Sequence, residues 1–264
     1  MKSAQFRLEA RQALRGNWTA MAFLTAIALF VRTVGDSLLG QIFGTHSMSY
    51  SIIDTFLEYF VYFAFTYALY FAALQVIRKT KVDSNATLLV AFKKPYYSAL
   101  VVINLVQELL QIAISFVILL PFSGTFGIQR IFSFSWNNLD GLESYLMQAS
   151  EAQAVTTTVF MIAVASLVIA ILQLLLTGFF QIWVQVKMEY PQYSLGATLT
   201  LTFFIMRKHW LNLLWLELSF IGWDFVGLLT LGIGFLWITP YNVVSVTYFY
   251  ETVKSERVIT MKKN

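Results

Sequence analysis

The chain has 264 residues, 58% hydrophobic and only 12% charged, with a formal net charge of +4 and no cysteine. An average soluble domain carries roughly 25% charged residues, and a globule this apolar would leave much of its apolar area in water. Composition therefore argues against a soluble fold, and the missing cysteines exclude disulfides, thiolate metal sites and cysteine nucleophiles.

A membrane-crossing helix needs about 20 mostly apolar residues. Six segments meet that length in chain order: Trp18 to Phe43, Phe56 to Ile77, Tyr97 to Leu120, Val155 to Val186, Trp210 to Leu231 and Gly234 to Tyr250. The first follows Lys2, Arg7, Arg11 and Arg15 but runs on past Arg32 and lacks a small-residue cleavage site. It reads as a retained helix rather than a signal peptide. The fourth exceeds the bilayer thickness and must tilt or project. Gly232 and Gly234 predict a tight turn between the fifth and sixth, and Pro240 predicts a kink in the sixth.

Orientation follows from lysine and arginine. Sixteen of the 18 basic residues fall at the N-terminus, at the second-to-third and fourth-to-fifth connections, and in the C-terminal tail. The opposite connections hold Arg130 beside Asp54, Asp140, Glu143 and Glu151. The basic side is read as cytoplasmic, with both termini on it. Basic residues at the ends of apolar segments do not form a nucleic-acid face.

Internal repetition refines the picture. Gln75-Val76, Arg78 and Ser84-Asn85-Ala86-Thr87-Leu88 precede the third segment; Gln185-Val186-Lys187 and Ser194-Leu195-Gly196-Ala197-Thr198-Leu199 precede the fifth. Ser3, Ala10 and Ala13 give a looser copy ahead of the first. Each copy ends on a basic and aromatic edge: Arg15 with Trp18, Lys94 with Tyr96 and Tyr97, Arg207-Lys208 with Trp210. The expected fold is all-α. It is a polytopic bundle of six transmembrane helices, built as three helical hairpins, each preceded by an interfacial amphipathic helix. Residues 1–264 form one integral membrane domain with repeat units near 3–78, 83–187 and 194–253. Phe6, Leu14, Leu88, Phe92, Leu199 and Phe203 are expected at the lipid boundary. The outer loop 121–153, with Phe122, Phe126, Ile131, Phe132, Phe134 and Trp136, is expected to fold back on the membrane surface or cap the bundle.

No P-loop, G-x-S-x-G, H-E-x-x-H or paired-aspartate motif is present. His46 and His209 fall on opposite sides of the membrane and cannot share a metal. No catalytic, cofactor or metal residue is assigned. Charges at membrane depth are the remaining candidates, because they are costly there. Arg32 and Asp36 are spaced to pair on one helix face. Trp18 to Arg32, Tyr97 to Gln111 and Trp210 to Asp224 are each fourteen steps. Under threefold pseudosymmetry Arg32, Gln111 and Asp224 would form one polar layer. Glu108 and Glu217 have no basic residue at their depth and are read as unpaired: protonated, hydrogen-bonded to Gln107, Gln111 or Gln173, or exposed to a wet cavity. Gly40 and Gly44 form a G-x-x-x-G packing signal.

The carboxyl-terminal third, with Trp210-Leu211-Asn212-Leu213-Leu214, Leu218-Ser219-Phe220-Ile221-Gly222-Trp223, Leu229-Thr230-Leu231-Gly232-Ile233-Gly234-Phe235-Leu236-Trp237, Pro240-Tyr241 and Phe249-Tyr250-Glu251, resembles a family of bacterial integral membrane proteins. It is the family labelled domain of unknown function 975, found mainly in Gram-positive bacteria. Ala13-Leu14-Arg15-Gly16-Asn17-Trp18 resembles its opening, whereas Thr177-Gly178 stands where the family has a Pro-Gly step. The resemblance implies a multispanning protein of the bacterial cell membrane and no substrate. The leading functional expectation is a non-enzymatic membrane component that binds membrane lipid or a membrane protein partner in envelope maintenance. The alternative is a small transporter or channel using intramembrane carboxylates. A lipid enzyme is a third reading without an acid–base set.

Overall fold

Residues 3–45, 47–122 and 152–263 are described by a computed structural model, and these residues form helices without a strand. The order is α1 (Ser3–Ala13), α2 (Trp18–Phe43), α3 (Met48–Leu57), a π turn (Glu58–Tyr62), α4 (Phe63–Ile77), α5 (Ser84–Leu88) with a 3-10 turn (Val90–Phe92), and α6 (Tyr97–Leu119). Then come α7 (Ala152–Glu189), α8 (Leu195–Met206), α9 (Trp210–Leu218), α10 (Ile221–Leu229) and α11 (Phe235–Lys263). Five stretches are long and apolar enough to cross a membrane: Trp18–Phe43, Met48–Ile77, Tyr97–Leu119, Phe160–Glu189 and Trp210–Leu229. This is an all-helical fold with the composition of a membrane protein. His46 and most of the expected outer loop 121–153 lie outside the described residues.

The starts at Trp18, Tyr97 and Trp210 coincide with the basic and aromatic edges in the sequence. Two segments differ from expectation. The second helix begins at Met48, eight residues earlier than the apolar run, because the Ser47 side chain accepts from Tyr50 N at 3.0 Å and caps it. Asp54, expected in a connection, is therefore helical. The fifth is broken at Ser219 and Phe220 into α9 and α10. There the Ser219 hydroxyl donates to the Leu216 carbonyl at 2.6 Å, and Arg7 Nη1 donates to the Ser219 carbonyl at 3.1 Å. A hydroxyl and a guanidinium thus take up carbonyls next to the break. α7 runs unbroken through Thr177-Gly178.

The chain divides into two compact units. In Val106–Leu176, Leu119 and Ile169 form a small core with Phe116 and Ile118, and Gln173 Nε2 donates to Ser115 Oγ at 3.4 Å. The larger unit, Met1–Leu105 with Thr177–Asn264, is organised around α11, which packs on α1, α2, α4, α8, α9 and α10. Val244, Val246, Phe249 and Tyr250 are fully covered there, as are Ser245 and Thr247. Helix α1 turns its apolar face to this hub and not to lipid. Phe6 meets the rings of Tyr248 and Phe249 edge-on at 6.3 and 5.3 Å, and Leu14 is fully buried. An aromatic surface within reach offers ring contacts that lipid chains do not. Phe203 of α8, by contrast, is exposed as expected.

The connectors before Trp18 and Trp210 share a backbone geometry. Gly16 and Lys208 both have positive φ, at 85° and 75°, two residues before the helix-starting tryptophan. Asn17 and His209, which follow them, sit at φ −115°, ψ 0° and φ −115°, ψ 4°. Before Tyr97 the chain instead has a cis Lys94–Pro95 bond. A left-handed conformation costs a side-chain-bearing residue about 1–2 kcal/mol, so the two sites should respond in opposite directions. Nothing lies within 4 Å of a Cβ placed on Gly16. Gly16→Ala should therefore lose about 1 kcal/mol through conformation alone, whereas Lys208→Gly should gain up to about 1 kcal/mol after the glycine's extra unfolded-state freedom. Unfolding by SDS titration in mixed micelles reads both, and equal signs would disprove the shared geometry.

Candidate functional site

Three polar residues four apart, Gln181, Gln185 and Glu189, line one face of α7 in an otherwise apolar stretch. They face α11. Gln181 Nε2 donates to the Val243 carbonyl at 2.9 Å, and Gln185 Nε2 donates to Thr247 Oγ1 at 2.6 Å and to the Tyr70 carbonyl of α4 at 3.3 Å. Gln185 and Thr247 are fully buried, and Gln185 Oε1 has no partner. This is a packed seam in which amide, hydroxyl and carbonyl groups meet.

Each end of the seam holds a carboxylate. At one end Glu217 of α9 is 6% exposed and accepts from Asn242 Nδ2 of α11 at 2.9 Å. Gly178 of α7 makes room for it: a Cβ there would lie 2.8 Å from Glu217 Oε1 and 3.2 Å from the Leu213 side chain. At the other end, Glu189 accepts from Tyr250 Oη at 2.7 Å and pairs with Arg78 at 3.1 Å and with Lys254. Arg78 also pairs with Glu251 at 2.6 Å. Two acids and two bases balance there. Burial alone would pull the Arg78 pKa down, but hydrogen bonds and charges from Glu251 and Glu189 outweigh it and raise it above the ordinary arginine value. From Gly178 to Glu189 the seam spans about 16 Å at 1.5 Å per residue.

The residues singled out in the sequence are distributed as follows. Arg32 pairs with Glu58 of the π turn at 3.2 Å. Asp36 lies one turn further on in α2 and is half-buried. Asp224 lies in the first turn of α10, beside Trp223, whose ring meets Tyr241 edge-on at 6.2 Å. Arg32 and Asp224 belong to the larger unit; Gln111 and Glu108 belong to Val106–Leu176. Of the two carboxylates read as lacking a basic partner, Glu217 accepts from the neutral Asn242 amide and Glu108 engages a neighbouring group. Sequence reasoning missed Glu58, Asn242 and the glutamine seam. Polar residues spaced four apart inside an apolar run were the visible signal for the seam.

A groove of about 450 Å³ opens between the α1–α2 connector and the segment after α4. Asn17, Thr19, Lys81 and Ser84 give it a polar wall, and Ala20 and Phe23 an apolar one. Among the described residues, no three histidine, aspartate or glutamate side chains are grouped to hold a metal ion.

Five helices long and apolar enough to cross a membrane give the chain the make-up of a helical membrane protein. The chain belongs to the family described as protein of unknown function (DUF975), which matches residues 1–257. No curated protein and no solved structure matches it.

Proposed function

We propose that the protein is a non-enzymatic component of the bacterial cell membrane that binds anionic lipid at its cytoplasmic face and serves envelope maintenance. In this reading α11 is a sixth crossing, the helices pair as three hairpins introduced by α1, α5 and α8, and both termini are cytoplasmic. The groove beside Lys81 carries the reading. It joins hydroxyl, amide and ammonium groups, which suit a phosphodiester, to an apolar wall, which suits the start of an acyl chain. Its lysine belongs to the Arg78–Lys94 connection, rich in basic residues. Nucleic acid has no corresponding face. A membrane protein partner would dock on the same polytopic scaffold.

The test is native mass spectrometry of the full chain from nanodiscs with equal anionic and zwitterionic phospholipid. Retained anionic lipid, reduced about fivefold in Lys81→Glu, is the expected result, as one basic group near the surface contributes about 1 kcal/mol. Retention of both lipid classes alike, unchanged by Lys81→Glu, would refute it. A second reading, a small transporter or channel, draws on the enclosed Glu217 at the end of the seam. Solute flux in proteoliposomes that is abolished by Glu217→Gln would favour it.

A further inference from the structure

Four polar side chains on the wall of the groove, Asn17, Thr19, Lys81 and Ser84, are not used by the fold. None of them hydrogen-bonds or ion-pairs with another described residue. Asn17 is the most telling. It stands at the N-cap of α2, where an asparagine side chain ordinarily binds a first-turn N–H, yet it makes no capping bond. On the other wall Asp83 caps α5, accepting from Asn85 N and Ala86 N at 3.1 and 3.2 Å, and this leaves the Ser84 hydroxyl free.

The chemistry of these four groups narrows the ligand. Hydroxyls and amides both donate and accept, whereas an ammonium only donates. Asn17, Thr19 and Ser84 therefore match hydroxyls on a ligand, which also do both. A head group that ends in an ammonium meets no carboxylate among the lining residues and is repelled by Lys81. A phosphate monoester carries about −1.5 to −2 charges at neutral pH. It would face a single lysine, with the carboxylate of Asp83 next in the chain to Ser84. A phosphodiester carries one negative charge and matches one ammonium. The apolar wall continues from there, since Ala20 and Phe23 are three apart on one face of α2, at the start of a stretch apolar enough to cross a membrane.

We propose that the groove selects a phosphodiester lipid whose head group is a polyol. Lys81 meets the phosphate, Asn17, Thr19 and Ser84 meet the head-group hydroxyls, and Ala20 and Phe23 flank the first carbons of an acyl chain. This inference rests on the anionic-lipid reading above and adds the head-group class to it.

The test uses the full chain in nanodiscs of phosphatidylcholine with equal shares of phosphatidylglycerol, phosphatidylserine and phosphatidate, and native mass spectrometry of the lipid retained. Phosphatidylglycerol should be enriched about fivefold over each of the other two anionic lipids, the factor that one net hydrogen bond supplies. Thr19→Val and Ser84→Ala remove no bond of the fold and should each bring the three lipids toward parity while anionic lipid is still retained. Lys81→Glu should lower all three. Excess glycerophosphoglycerol, the same head group without acyl chains, should leave the bound lipid in place. Equal retention of the three anionic lipids, with Lys81→Glu still lowering them together, overturns the head-group class and leaves the anionic-lipid reading standing. Retention unaffected by Lys81→Glu overturns both. A phosphatidylglycerol preference that survives Thr19→Val and Ser84→Ala alike places its origin outside the groove and overturns the proposal. Displacement by glycerophosphoglycerol also overturns it, because the groove would then belong to a soluble phosphodiester.

Discussion

Glu189→Ala should destabilise the protein by about 3 kcal/mol, the low end of the range for removing one partner of a buried ion pair. Three groups lose this acceptor at once: the Tyr250 hydroxyl, Lys254, left with Glu251 at 3.7 Å, and Arg78, which keeps Glu251 at 2.6 Å. Lys254 is 19% exposed and cannot recover full hydration, whereas Arg78 is 42% exposed and can recover part of it. Glu251→Ala provides the contrast. Its partners Arg78 and Lys254 keep Glu189, so the loss should be about 1 kcal/mol, as for an exposed pair. Unfolding by SDS titration of both variants decides the matter. Equal losses would show that Glu189 is not the hub of the cluster, and additivity in the double variant would show that the two acids do not share their bases.

At the opposite end of the seam, Gly178→Val should cost about 2 kcal/mol by overpacking. Its new carbon would meet the Glu217 carboxylate and the fully buried Leu213. Glu217 itself separates two explanations. Glu217→Gln keeps an acceptor for Asn242 and should change stability by less than about 1 kcal/mol, whereas Glu217→Leu leaves that amide without an acceptor and should cost about 1–2 kcal/mol. If the glutamine variant were as damaged as the leucine one, the charge and not the hydrogen bond would be what the fold requires. That outcome would move the carboxylate from packing toward transport.

The long helices were legible because lipid imposes simple demands on a sequence. Trp18, Tyr97 and Trp210 follow basic residues at an apolar edge, and helices start at each of them. Met48 was missed because Met48 to Thr55 mixes serine and aspartate with apolar residues and reads as a loop until Ser47 is seen to cap it. The break at Ser219 was missed for a different reason. It depends on Arg7, 212 residues away in sequence, and no local pattern encodes that reach. The same holds for the candidate site. A search for charges at membrane depth finds Arg32 and Glu217 but passes over Gln181, Gln185 and Thr247, which are neutral and need each other only in the folded state. It also assigned Arg32 partners by symmetry and sequence spacing, while the structure pairs it with Glu58 through the packing of α2 against the π turn.

Helix α11 is less apolar than the five stretches that qualify as spans, yet its middle is enclosed by neighbouring helices. In that middle, Ser245 and Thr247 donate to carbonyls of α11, Thr247 accepts from Gln185 of α7, and Asn242 donates to Glu217 of α9. For a segment of this kind the effective solvent is the rest of the protein, and hydrocarbon alone would be a poor one. Its packing is therefore tied to assembly: it settles only where neighbouring helices already present the groups that meet these side chains.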